Sequence, residues 1–538
     1  MRRKAALILV LLFLSVFTAY AENLYKYNDW LMPRGREGKL LFLLQTAFYF
    51  IEFTCMSFFV SHLNRKGLGK KQQNHIKEIK NRALRRWLFL IAVYMIYLIC
   101  FYPGVYGWDT ANQIRDFFTW DKPYEIGWVR GQPKVSAWMN DHHPVLDTIV
   151  FSFFYWVGTL SGKVNNGLAL YCICQIMLTA AVFVHALEMM DKGSAPEWFQ
   201  RIAMAFYCMP FIAIYTVTMI KDSLFSIVFI EYLITYMSLS QTEICNKRLF
   251  QLGIYTLLCS LTKKTGIYIC TAANVFLLLN KGVRMRKIQW SMATFFPALF
   301  VFVIMGHYLF PALRIYPGGK QEAFGMLFQQ TARVVTTHSE SISQDERNAI
   351  DRVLEYDKLN KQYNPRKTDD VKDHFRFNSD KKDLIGYLHT WFKLCKKYPG
   401  SAVNAVFAVN GGYFAPVQKM TVYTSVVELL DVWPTFRNPE ALAPARNTAT
   451  VIFEWLSNLP GLDLLFTLVV YTWWIPFLSA YCLIKQKDWN GILTLTPIAL
   501  SILVLLISPL CQLRYALPQV YAVPLVLGCG FGYGRQWV

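Results

Sequence analysis

A chain of 538 residues that is 54% hydrophobic and 16% aromatic, with apolar runs of membrane length recurring along it, reads as a polytopic membrane protein carrying one sizeable polar insert. Its net charge of +20 comes from Lys and Arg that collect between the apolar runs. They nowhere interleave with aromatics as a nucleic-acid groove requires, so they read as cytoplasmic loops obeying the positive-inside rule, and nucleic acid is not a partner. The 12 Cys are scattered, mostly inside apolar runs and without a Cys-x-x-Cys pair, and imply neither a metal site nor a disulfide framework.

Met1-Arg-Arg-Lys4 followed by the apolar stretch Ala5–Tyr20 is either a first span or a secretory signal, with Ala19-Tyr-Ala21 before Glu22 fitting a small-x-small cleavage site. Either outcome places residues 22–39 outside. A second span over about 40–62 returns inward, and residues 63–86 carry nine Lys/Arg against Glu78, the strongest cytoplasmic marker in the chain. A third span over about 87–103 leads outward, so the loop 104–144 faces the exterior. Apolar runs then follow at about 145–160, 166–188, 201–219, 223–240, 249–262, 266–280 and 288–310.

Counting each of these as a crossing would put the basic turns Lys247-Arg248 and Lys281–Lys287 outside. Demoting Val145–Leu160 repairs every later loop. That run is only about 16 residues long and, at ~1.5 Å rise per residue, too short to span ~30 Å comfortably. It is expected to lie at the outer interface, started by Pro144. The final span, about 518–534, then ends inside, giving 12 crossings, or 11 if a signal is removed. The chain divides into residues 1–86 with the N-terminal spans and basic loop, a core 87–311, an extracytoplasmic, mainly helical inserted domain 312–461, and C-terminal spans 462–538. Apolar spacing in the insert is helical through 344–360 and 381–397, with breaks at Tyr316-Pro-Gly-Gly319 and Tyr363-Asn-Pro365. Gln329–Arg333 and Asn410-Gly-Gly-Tyr413 could present a ligand, but helix ends and turns use the same residues, and the structural role is favoured.

The chemistry is expected in the loop after the third span, Tyr102-Pro-Gly-Val-Tyr-Gly-Trp-Asp109 running on to Asp141-His-His-Pro144. Trp and Tyr mark the membrane–water interface. An acid there can meet both a lipid head group and a water-soluble acceptor, although Asp109 is equally suited to cap a helix beginning at Thr110. Topology counting places Asp109, Asp141, His142, His143, Lys221, Asp222, Lys263, Lys264 and Arg514 at one membrane face. Each alone reads as a solvated boundary residue. Together they suit a reaction in which a carboxylate takes a proton from a hydroxyl while cations stabilise a departing phosphate. Asp and His leave room for a divalent metal but fix no third ligand. No Gly-x-Gly-x-x-Gly, Walker loop, His-Glu-x-x-His or Gly-x-Ser-x-Gly occurs.

The order of these features resembles the GT-C membrane glycosyltransferases, especially the protein O-mannosyltransferase and lipid A aminoarabinose transferase group. The resemblance covers about 87–310 and 462–534. It rests on Asp109 in Gly-Trp-Asp-Thr, His142-His-Pro144, Pro210, Lys221-Asp222, Thr262-Lys263 and Arg514-Tyr-Ala-Leu-Pro518. Two departures stand out: two additional runs precede the core, and Thr110 replaces the usual second acid beside the first. The resemblance implies an all-α GT-C-like bundle of about 12 transmembrane helices in the cell membrane with its active site outside. It implies transfer of a sugar from a polyprenyl-phosphate donor to a glycan, lipid or protein acceptor of the cell envelope. Asp109 would be the general base and Asp222 a second acid. His142, His143, Lys221, Lys263, Lys264 and Arg514 would bind substrate, with Lys263 and Arg514 on the lipid phosphate. A surface-polysaccharide polymerase or ligase, and a transporter or flippase of a lipid-linked or anionic solute, are the competing readings.

Overall fold

Long apolar sequence with its backbone polar groups satisfied internally can only be helical in a bilayer, and the computed structural model is accordingly all-helical apart from short strand pairs. It describes residues 2–66, 76–118, 123–125, 134–136, 138–193, 195–241, 244–428 and 435–533. Parts of the basic loop (67–75) and of the external loop (119–122, 126–133 and 137) therefore lie outside the described residues.

The elements up to the insert are α1 (Arg2–Tyr27), α2 (Arg36–Lys66), α3 (Ile76–Cys100), α4 (Trp108–Phe118), α5 (Val145–Leu160), α6 (Val164–Lys192), α7 (Glu197–Tyr207), α8 (Pro210–Thr216), α9 (Lys221–Gln241), α10 (Asn246–Thr262) and α11 (Gly266–Phe276). Among the described residues six helical stretches are long and apolar enough to cross a membrane: Leu7–Tyr27, Arg36–His62, Asn81–Cys100, Val164–Lys192, Lys221–Gln241 and Lys287–Ala312. Three shorter apolar stretches accompany them, Val145–Leu160, Gly266–Leu279 and Trp489–Leu505. The protein is thus a membrane protein by the length and composition of its helices.

Two expected continuous runs are broken. The run 201–219 becomes α7 and α8, because Pro210 lacks the N–H needed to continue the first helix and restricts Met209 before it. The run 518–534 becomes Leu513–Tyr521 and Val523–Gly530, with Pro524 starting the second piece.

Helix α9 is the central pillar, with 83% of its window buried. It packs on α6, α10 and Leu513–Tyr521. Helices α5 and α6 approach so closely that a Cβ on Gly167 would sit 1.9 Å from the Phe154 carbonyl oxygen. Both ends of α5 meet the same loops. His143, just before it, contacts Lys221, while Asn165, just after it, exchanges two hydrogen bonds with the backbone of Arg437, at 2.8 and 3.0 Å. Residue 438 in turn holds the loop at 101–104.

The insert has its own core around Phe328, Ala332, Ile350, Leu354, Tyr387 and Leu394. Lys381–Lys397 is helical, started by a reciprocal cap between Asp380 and Asp383. The expected helix 344–360 is shorter: Gln344–Asp351 ends, and Val353 and Leu354 pair with the Phe375 segment instead. Gln329–Arg333 lies within the helix Gln321–His338, with Gln329, Thr331, Ala332 and Arg333 buried, so it is structural. Helix α1 joins this body through Tyr20 to Asn404 and Tyr25 to Gln418.

The expected lie of α5 along the outer surface has a direct check. A single Cys at the exposed Ser161, in a background without other reactive Cys, should react with an impermeant thiol reagent added outside intact cells. Reaction only after permeabilisation would make α5 a crossing.

Candidate functional site: a carboxylate clasped by two buried cations

The loop carrying Asp109 is fixed by its backbone. Val105 donates to the Val217 carbonyl and accepts from Met219 N–H, at 3.0 and 2.9 Å, and Thr110 Oγ1 donates to the Met219 carbonyl at 2.6 Å. Gly104 has φ of +128°, and a Cβ there would strike Cys172 Sγ at 2.5 Å, so only glycine fits. Two side-chain amides hold the two sides of this joint. Gln175 donates to the carbonyls of Tyr215, Thr216 and Thr218 at 3.1, 2.9 and 3.0 Å. Asn438 donates to those of Phe101, Tyr102 and Gly104 at 3.4, 3.1 and 3.1 Å.

This joint delivers Asp109 to the start of α9. Lys221 Nζ and Arg514 Nη1 each donate to the same oxygen, Asp109 Oδ2, at 3.0 Å. Helix α4 begins at Trp108, so Asp109 sits inside its first turn, and its side chain is committed to cations rather than to a cap. The two cations are mostly buried, at 17% and 14% exposure, while the Asp109 side chain keeps 32%. Burial alone would push the Asp109 carboxyl up. Lys221 and Arg514 overcome that and hold it well below the usual carboxylate range. Lys221 also donates to His143 Nδ1 at 2.8 Å. Burial, reinforced by Lys221, keeps His143 well below the ordinary histidine value and therefore neutral.

Arg514 Nη2 donates to the Tyr515 hydroxyl at 2.7 Å, and Nη1 reaches the Tyr423 hydroxyl at 3.4 Å. The loop before Arg514 is gripped by the insert. Asn410 donates to the Leu506 and Ser508 carbonyls, both at 3.0 Å, Tyr413 binds both sides of residues 510–512, and Thr368 N–H donates to the Pro509 carbonyl at 2.9 Å. Asn410-Gly-Gly-Tyr413 is thus a structural brace.

Next to this centre, Lys263 donates to Asp222 Oδ1 at 2.7 Å and lies over the rings of Phe225 and Tyr515, 5.2 and 5.5 Å from their centroids. Lys264 and Asp141 form a rim instead, 3.3 Å apart with Lys264 half exposed. Asp141 also accepts from Gly318 N–H, where Met139–Asn140 pairs in parallel with Ile315–Tyr316. His142 stands 4.0 Å from Glu322, which is bound to Lys372. The structure therefore brings Asp109, His143, Lys221 and Arg514 into direct contact, sets Asp222 and Lys263 beside them through Tyr515, and leaves His142, Asp141 and Lys264 at the edge. Among the described residues no three His, Cys, Asp or Glu side chains stand close enough together to hold a metal ion.

Two participants were not legible beforehand. Tyr423 comes from the insert, far away in sequence. Asp147, one turn into α5, has no solvent exposure, and neither of its oxygens has a hydrogen-bond partner. Burial pushes its carboxyl well above the usual range, Lys221 opposing and Asp222 adding to the effect, so it is protonated. Its spacing after His143-Pro144 was visible, but an Asp in the first turn of a helix is so ordinary that nothing marked it.

Fold and site together define an all-α membrane protein with a cation–carboxylate centre where several helices end. The chain belongs to the family described as "Family of unknown function (DUF6020)", whose model matches residues 2–531. No curated protein and no solved structure matches it.

The protonation of Asp147 predicts a stability difference. Its folded value lies above the unfolded value of about 3.9, so its contribution is present below that pH and is lost as pH rises through the folded value. Asp147→Asn removes the titration and keeps the shape of the neutral acid. Thermal unfolding in detergent should find variant and wild type alike near pH 4 and the variant more stable at pH 7. A less stable variant at pH 7 would mean that the carboxyl is ionised in the folded protein.

Proposed function

We propose that the protein is a membrane glycosyltransferase that moves a sugar from a polyprenyl-phosphate-linked donor to a cell-envelope acceptor on the extracytoplasmic face. The observation that carries this reading is the sharing of one Asp109 oxygen by Lys221 and Arg514, with no donor to the other oxygen among the described residues. A carboxylate beside two buried cations supplies a base and a phosphate cradle in one place. Lys221, Arg514 and Lys263 against Asp109 and Asp222 leave one net positive charge, which matches the single negative charge of a sugar phosphodiester.

In the reaction, the acceptor hydroxyl attacks the anomeric carbon of the donor. The bond from that carbon to the phosphate oxygen breaks, with its electron pair going to the phosphate, and Asp109 takes the hydroxyl proton. The phosphate passes from one negative charge to two, and Lys221 and Arg514 stabilise the gain. Before the donor arrives, the same cations make Asp109 a weak base. A phosphate that competes for them returns basicity to the carboxylate. Asp222, held by Lys263 at 2.7 Å, is a second acid beside the centre. His143 accepts from Lys221 and fixes its position.

Six long apolar helices and three shorter ones accompany the centre, and 12 crossings arranged as in GT-C enzymes are what this reading expects. A carrier would place its site near the bilayer midplane, whereas Lys221, Lys263 and Arg514 all stand at helix ends.

Asp109→Asn should lower transfer from a polyprenyl-phosphate sugar by roughly 10²–10⁴, the usual cost of a lost general base, with membrane insertion intact. Turnover near wild type would remove Asp109 from the chemistry. At limiting donor, Arg514→Lys should also lose activity, because a point charge cannot replace the guanidinium fork. Full activity of that variant would leave Arg514 as an anchor for its helix.

A further inference from the structure

The insert places Tyr423 against both Asp109's loop and Arg514. The stretch that carries it lies along the catalytic loop: Val426 bridges to Tyr106, and Val426 N–H donates to Asn438 Oδ1 at 2.8 Å, the residue whose amide clamps 101–104. The ring rests on bare backbone. A Cβ on Gly107, two residues before Asp109, would meet Tyr423 Cε1 at 2.7 Å, so glycine there makes room for the phenol. From that seat the hydroxyl oxygen accepts from Arg514 Nη1 at 3.4 Å, the same nitrogen that donates to Asp109 Oδ2 at 3.0 Å.

The hydrogen of this hydroxyl has no acceptor among the described residues, since the Arg514 contact uses only the oxygen. Arg514 Nε is buried and likewise without a partner. Two donors thus remain uncommitted around a guanidinium that already holds a carboxylate. A prop for Arg514 would need only the ring and the oxygen, while a ligand with several acceptor oxygens would use the hydrogen as well. Burial raises the phenol above its ordinary value, which keeps that hydrogen in place at neutral pH.

We propose that Tyr423 is an anion-binding residue of the site, donating its hydroxyl hydrogen to a phosphate oxygen of the lipid-linked substrate that Arg514 holds, so that the inserted domain completes the binding pocket. This rests on the reading of Lys221 and Arg514 as a phosphate cradle. Tyr413 and Asn410 already grip the loop before Arg514, and Tyr423 adds direct contact with the ligand. The insert then acts directly on the donor.

The test is a titration of the purified full-length protein with a polyprenyl phosphate, followed by intrinsic fluorescence, for wild type, Tyr423→Phe, Gly107→Ala, Arg514→Lys and the Tyr423→Phe/Arg514→Lys pair. Tyr423→Phe keeps the ring and removes only the hydroxyl. It should weaken binding by about ten- to hundred-fold, the range for a lost hydrogen bond to a charged group, with unchanged thermal unfolding. Gly107→Ala, which displaces the ring, should reproduce the loss. The double variant should lose less than the two single losses combined, because both groups hold one anion. Wild-type affinity in Tyr423→Phe, with Arg514→Lys weakened, would overturn the role of Tyr423 and leave the phosphate cradle standing. Wild-type affinity in Arg514→Lys and in Lys221→Ala would overturn the cradle itself. A parallel titration with inorganic phosphate should bind more weakly than the lipid form, and equal affinity would overturn the lipid-linked part of the reading.

Discussion

Burial of like charges is the constraint that organises this molecule. Lys221 and Arg514 lie mostly out of solvent beside each other, and Asp109 keeps that arrangement from being strongly repulsive. The three residues are 112 and 405 positions apart along the chain. The first external loop, the start of the central helix and the start of the last helices must therefore meet for the fold to close. The same rule appears elsewhere in the bundle: Arg86 is satisfied by the buried Asp191 at 2.7 Å, and His185 by Glu231 at 2.9 Å. Asp191 meets Arg86 and Arg82 on separate oxygens, at 2.7 and 3.8 Å. At Asp109 two cations share one oxygen, an arrangement that can be rearranged by another anion without leaving a charge alone.

Such a centre needs rigid walls. A loop that changed shape would turn a shared hydrogen bond into an unpaired buried cation at a cost of several kcal/mol. Gln175 and Asn438, each offering one amide to three carbonyls, provide those walls from opposite sides. One comes from a membrane helix and the other from the insert. The insert also holds residues 506–512, immediately before Arg514, through Asn410, Tyr413 and Thr368. It is thus a brace for the centre as much as a separate domain with its own core.

Sequence patterns expose what has a period or a bulk composition. Apolar length located the long helices, and the excess of Lys and Arg between them grouped Asp109, Lys221, Lys263 and Arg514 at one end before any contact was known. Periodicity also gave Lys381–Lys397. It could not give the break after Asp351, because the pairing of Leu354 with Phe375 is a long-range event that overrides local helical spacing. Nor could it reveal that Asp109 is clasped rather than capping, since both uses put an Asp at a helix start. Tyr423 was invisible for another reason. A tyrosine in an irregular stretch carries no local signal, and its seat depends on the absence of a side chain at Gly107, more than 300 positions earlier. Asp147 shows the limit from the opposite side: its type and position were plain, and only burial makes it unusual.

The proposed chemistry follows from how this centre balances charge. A base buried next to cations is weak, and a base far from them could not share a site with a phosphate. Placing Asp109 on the cations that the phosphate would need couples the two demands. In this proposal Asp109 offsets one of the two positive charges of Lys221 and Arg514. A bound phosphate would take over that duty and leave the carboxylate to act as base. Lys263 and Asp222 lie one ring away, behind Tyr515, and are paired with each other. The neutral His143 and the protonated Asp147 fit the same logic. Neither adds charge near Lys221, so the competition between carboxylate and phosphate for that cation is decided by those two anions alone.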